Sequence, residues 1–119
     1  MSAKEVKKLA DMAIMQTRLR LLSDAAVKFF EISMFDLKHN QASLYAWPRM
    51  ICMALAATRY PKSDIARYWG KDASLPGTCA KKVKHRMETE PSSAKEVEQF
   101  LQYATRYILK EEKNGSRFG

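Results

Sequence analysis

Residues 62–87 read Lys62-Ser-Asp-Ile-Ala-Arg-Tyr-Trp-Gly70-Lys-Asp-Ala-Ser-Leu-Pro-Gly-Thr-Cys-Ala-Lys-Lys-Val-Lys-His-Arg-Met87, and this stretch decides how the chain is read. Ser63 can cap a short helix over Asp64–Trp69, and Gly70 can take the left-handed conformation that ends it. A tight turn, Gly70-Lys71-Asp72, then leads to a second helix from about Ser74 to Met87. Pro76 lacks a backbone N–H and is tolerated only in the first helical turn, so that helix starts near Asp72–Ser74. A short helix, a glycine-bearing turn and a longer basic helix form the layout of a helix-turn-helix.

That layout assigns roles by position. In a helix-turn-helix the first helix braces against the phosphate backbone and the second offers its N-terminal side chains to base edges in the major groove. Those positions are Asp72, Ala73, Ser74 and Leu75, while Lys81, Lys82 and Lys84 lie farther along, where long cationic side chains reach phosphates. Lys62 and Ser63 at the start of the short helix, and Lys71 in the turn, complete the candidate DNA-contacting set. The charge distribution agrees. Between Trp47 and Arg86 stand nine basic residues against two acids, Asp64 and Asp72, which is +7 of the chain's +8. An excess confined to one region is the electrostatic footprint of a nucleic-acid binder.

Working outward, the remaining elements are also helical. Ser2-Ala-Lys-Glu5 has capping-box spacing, and Val6, Leu9, Met12, Ala13, Met15, Leu19 and Leu22 follow with helical period. Ser23 reads as the next N-cap, so the spacing predicts a first helix ending near Leu22 and a second from Asp24 carrying Ala26, Val27, Phe29 and Phe30 inward. Ile32 to Leu37 reads as a turn and one helical turn with Phe35 and Leu37 buried, and His39 to Ser43 as a loop. Pro48 suits the first turn of a helix running to about Thr58, whose Met50, Ile51 and Met53 are core. Pro91-Ser92 marks a loop, and Ser93-Ala-Lys-Glu96 is a second capping box opening the last helix, with Val97, Phe100, Leu101, Ala104, Tyr107 and Ile108 on one face. The expected architecture is an all-α helical bundle with a central helix-turn-helix. Residues 1–22 form an N-terminal helix for oligomerisation or partner binding, 23–112 the DNA-binding domain, and 113–119 a tail.

The stretch from Leu22 to about Ile108 resembles the C-terminal, duplex-binding domain of the bacterial replication initiator DnaA. The resemblance rests on Ala26-Val-Lys-Phe-Phe-Glu-Ile-Ser-Met-Phe-Asp-Leu37, on Pro48-Arg-Met-Ile-Cys-Met-Ala-Leu-Ala56, and on Asp64-Ile-Ala-Arg-Tyr-Trp-Gly-Lys-Asp72 followed by Ala80-Lys-Lys-Val83. It implies a Trp-repressor-like helix-turn-helix, with Arg49 as the arginine that enters the minor groove and Asp72 opening the recognition helix. Where that family carries His-Thr-Thr, this chain has Ala73-Ser74-Leu75, and Pro76 is foreign to the pattern. A different target site is therefore expected. No GxxxxGK[ST] phosphate loop occurs, so the initiator's ATPase chemistry is not expected here.

The other residue types point away from chemistry. His39 and His85 have no partner at metal spacing, and Cys52 and Cys79 lack a CxxC pattern, which reads as two buried, reduced thiols. Neither a cofactor nor a catalytic constellation can be assembled. No apolar run is long enough to span a bilayer, and no signal-peptide pattern opens the chain, which implies a cytoplasmic protein with no membrane partner. The expected function is duplex DNA binding in replication or transcription control, in a bacterial, phage or mobile-element setting. The rival expectation is a phage packaging subunit that couples DNA binding to oligomerisation, with homo-oligomer contacts through the N-terminal helix.

Overall fold

The computed structural model describes residues 2–116, and all regular structure among them is helical. Six helices follow in order: α1 Ala3–Phe30, α2 Met34–His39, α3 Ser43–Ala57, α4 Lys62–Trp69, α5 Leu75–Thr89 and α6 Pro91–Ser116. The expected all-α bundle is what forms. At its centre is α3, whose Ile51, Cys52 and Met53 are fully buried. Consecutive residues can all be buried only if the helix is covered on several sides, and α1, α2, α4 and α5 each pack against it.

The long helices α1 and α6 run antiparallel. Arg18 pairs with Glu112, and Phe29 and Phe30 stack on Phe100, so residue numbers rise along one helix as they fall along the other. By that register α6 runs out beside about Ile14 of α1. The N-terminal half of α1 therefore overhangs the body, and its residues 2–11 are all exposed. The radius of gyration, 15.1 Å, accordingly exceeds the roughly 13.5 Å of a compact chain of this length.

Several elements depart from the expected boundaries. Helix α1 does not break at Ser23. The Ser23 hydroxyl donates back to the Leu19 carbonyl and accepts from the Tyr68 hydroxyl, so it is satisfied inside the helix and caps nothing. The division at residues 22 and 23 thus falls within one continuous helix. Helix α1 ends instead at Glu31, which takes the left-handed conformation at φ 54° and donates its N–H to the Val27 carbonyl. Leu37 is fully buried, but Phe35 is 71% exposed and lies against the ring of His39. Helix α3 begins five residues before Pro48, because the Ala42 carbonyl already accepts from Tyr45 and Ala46. The hydrogen bond that Pro48 forgoes is offset by burying the neighbouring Trp47, whose indole N–H donates to Glu96 at 2.6 Å. Ser93 lies within α6, not before it: Pro91 opens the helix, and the buried Ser93 hydroxyl binds Glu90 and Arg86. Helix α6 continues through residues 113–116 of the expected tail; residues 117–119 lie outside the described residues.

Candidate nucleic-acid interface

Helices α4 and α5 pack against each other across a turn formed by residues 70–74. Gly70 ends α4 at φ 66° with its N–H bonded to the Ala66 and Arg67 carbonyls, a conformation that glycine adopts without steric cost. Asp72 then organises the entry to α5. Its carboxylate accepts from the Ser74 hydroxyl at 2.6 Å and from the Ser74 N–H at 2.9 Å. Those two bonds hold its pKa below the ordinary carboxylate value. Pro76 falls in the first turn of α5, as its chemistry requires, and is fully buried. Ile65, Ala66 and Trp69 anchor α4, and Cys79 and Val83 anchor α5, so the hairpin is held by the core from beneath.

The anchored face of α5 leaves its opposite face to solvent. Ser74, Thr78, Lys81 and His85 are all exposed and, at intervals of four, three and four residues, form one stripe along the helix. Lys82 and Lys84 flank it on either side, both exposed. From α4, the Lys62 side chain folds across the first turn of α5: its Nζ would lie 3.4 Å from a β-carbon placed on Gly77. A cation from one helix thus sits over the start of the next, and a β-carbon at Gly77 would meet it at ordinary van der Waals distance. Ser63 is exposed in the first turn of α4, where Pro61 and not Ser63 is the cap. Lys71 is half-buried in the turn, and Ala73 is exposed. Of the hairpin's own carboxylates, Asp64 pairs with Arg67 at 3.3 Å and Asp72 accepts from Ser74, while Glu88 is exposed on α5 three residues beyond His85.

Arg49 and Leu75 stand otherwise than expected, and two further cations, Arg86 and Arg67, are engaged locally. Arg49 does not start a helix; it is the seventh residue of α3 and only 6% exposed. Its guanidinium donates to the Leu37 carbonyl at 2.9 Å and twice to the Asn40 carbonyl at 3.1 Å. It thereby ties the C-terminus of α2 to α3 and is turned inward, away from any groove. Burial lowers its pKa from the ordinary arginine value, and no carboxylate faces it, so carbonyl dipoles alone hold the charge. Arg86 lies over the Trp47 ring, 4.1 Å from its centroid, and pairs with Glu90 at 2.7 Å, which makes it a clamp between α3, α5 and α6. Arg67 pairs with Asp64 as described. Leu75 is half-buried and packs on the core, which leaves little of it to face a base edge.

Thr78 and His85 were missed as candidates in the sequence. The signal that could have found them is their spacing from Ser74 and Lys81, which becomes meaningful only once the buried face of α5 is known. The thiols offer no chemistry: full burial pushes Cys52 up to about 12, and burial raises Cys79 as well, against the smaller opposing pull of Lys82 and Arg49. Among the described residues no group of three or more His, Cys, Asp or Glu side chains could hold a metal ion, and no helix is long and apolar enough to cross a membrane. Neither a family model nor a curated protein matches the chain.

Proposed function

We propose that this chain is a duplex DNA-binding protein of the kind used in replication or transcription control, with α5 as its recognition helix. The observation that carries the proposal is the outward stripe Ser74–Thr78–Lys81–His85, on a helix locked from beneath and flanked by Lys62, Lys82 and Lys84. The Ser74 and Thr78 hydroxyls, whose protons go to Asp72 and to the Ser74 carbonyl, keep lone pairs that can accept from base amines, and the lysines offer the charge that suits phosphates. Asp64 is paired with Arg67, Asp72 keeps its full negative charge beside Ser74 and Glu88 stands exposed on α5, so seven cations face three carboxylates over residues 62–89. Asp72 acts in this reading as an N-terminal organiser of α5 and not as a base contact.

Salt dependence tests the proposal. Lys62, Lys71, Lys81, Lys82 and Lys84 each neutralising one phosphate gives a slope of log K against log salt of about −4.5. Fluorescence anisotropy on a random-sequence duplex measures it, and binding that is absent at low salt or indifferent to salt refutes the proposal. Lys81→Ala should weaken binding to all sequences alike and flatten that slope by about 1. Thr78→Ala should change which sequences are selected while leaving the slope in place.

A further inference from the structure

The overhanging half of α1 is apolar on two sides. Toward the body, Met12 and Met15 line a mainly apolar cleft of about 680 Å³ with Tyr60 and Pro61, beside Lys4, Lys8 and Asp11. The opposite side, turned fully to solvent, is apolar. Ala3, Val6, Ala10, Ala13 and Thr17 follow one another at alternating steps of three and four residues, the seam spacing of a two-helix coil. Leu9 and Ile14 border this seam on its two sides. Val6, Leu9 and Ile14 are 52%, 54% and 50% exposed, and among the described residues no other element covers them. A helix that needed only to pack on its own body has no use for a second apolar face.

We infer that this face is a homodimer interface, on which α1 of a second copy packs antiparallel. The pattern itself argues for the occupant. A two-fold axis between Ala10 and Ala13 sets Ala10 against the Ala13 of the other copy and Val6 against its Thr17. The smallest residues then meet at the crossing, where helices approach most closely, while Leu9 and Ile14 close the flanks. A parallel arrangement fails on charge, because the same heptad positions continue as Arg20 and Asp24, and each residue would meet its own like-charged counterpart. In the antiparallel arrangement both lie at or beyond the end of the partner helix. Thr17, at the body end of the seam, also lines a cleft with Lys38 of α2 and Tyr68 of α4. Three turns a side bury on the order of 1,000 Å² in total, at the lower end of specific interfaces. The dimer is accordingly reversible, with a midpoint of association of about 10–100 μM.

The inference is independent of DNA binding, and its test uses the full chain without DNA. Sedimentation equilibrium from about 1 to 500 μM should show a monomer–dimer equilibrium with a midpoint in that range. Ala10→Glu puts two carboxylates at the crossing and should remain monomeric throughout, with unchanged far-UV helicity because Ala10 is exposed. Orientation is read by oxidation: a mixture of Val6→Cys and Thr17→Cys chains should give disulfide-linked mixed dimers. Neither variant should link to itself, since antiparallel packing separates like positions by about 16 Å along the axis. The native thiols, Cys52 and Cys79, are buried and contribute no background. A wild-type chain monomeric over the whole range overturns the inference, as does an Ala10→Glu chain that dimerises like wild type. Self-linking of Val6→Cys overturns the antiparallel arrangement.

Discussion

Replacing Arg49 with methionine separates a structural arginine from a DNA-reading one. Methionine keeps the length and most of the apolar volume, so the cavity left behind is small and the perturbation falls on the hydrogen bonds. Two carbonyls lose their donor. That of Leu37, on a residue with no exposed surface, stays buried and unpaired, at a cost of about 1–3 kcal/mol. That of Asn40, on a half-buried residue, recovers water and costs less than about 1 kcal/mol. Losing a cation at the C-terminus of α2 adds about 0.3–1 kcal/mol. Relief of the buried charge returns part of this, leaving about 2–4 kcal/mol of destabilisation from a total stability of about 5–15 kcal/mol. Urea unfolding followed by far-UV circular dichroism should show the midpoint falling by about 1–2 M with an unchanged slope. Arg49→Lys, which keeps the charge but not the forked geometry, should lose about half as much. DNA affinity, measured in the cold where both proteins are folded, should stay within about twofold of wild type. An unchanged urea midpoint together with a tenfold or greater loss of DNA affinity refutes this reasoning and returns Arg49 to the minor groove.

Three further expectations follow from single residues. Glu31 ends α1 at φ 54°, a conformation that strains any residue with a β-carbon, so Glu31→Gly should raise stability by about 0.5–1 kcal/mol in the same unfolding assay. Gly77→Ala should stabilise α5 by about 0.5–1 kcal/mol through helix propensity. The added methyl meets Lys62 only at ordinary contact distance, so thermal melting should rise while DNA affinity stays within about twofold; a loss of about tenfold or more would show that the Lys62 side chain had been displaced. Cys52 and Cys79 are buried with raised pKa values, so a disulfide reagent at pH 8 should modify the native protein at least about 100-fold more slowly than the denatured one. Rapid native reaction at one thiol would show that its part of the core opens readily.

The helical class, the turn at Gly70, the start of α5 near Pro76 and the concentration of cations in the middle of the chain are all legible in the order of residues. These are properties of backbone stereochemistry and residue period, and they act over a few neighbours. The departures from that reading share one cause. Ser23 and Ser93 both looked like helix caps, but a serine before a helical run caps it only when no better partner exists. Tyr68 and the Leu19 carbonyl supply that partner for Ser23, and Glu90 and Arg86 supply it for Ser93, from positions that only packing brings close. Arg49 is the sharpest instance. A cation beside a proline reads as exposed and seeking an anion, but the fold delivers two carbonyls from α2 and its following loop to the guanidinium and turns it inward. Which lysines remain outward, and that Thr78 and His85 join them, was likewise decided when α3 and the body covered the other face of α5. Burial selects partners across the whole chain, and no local pattern records that choice.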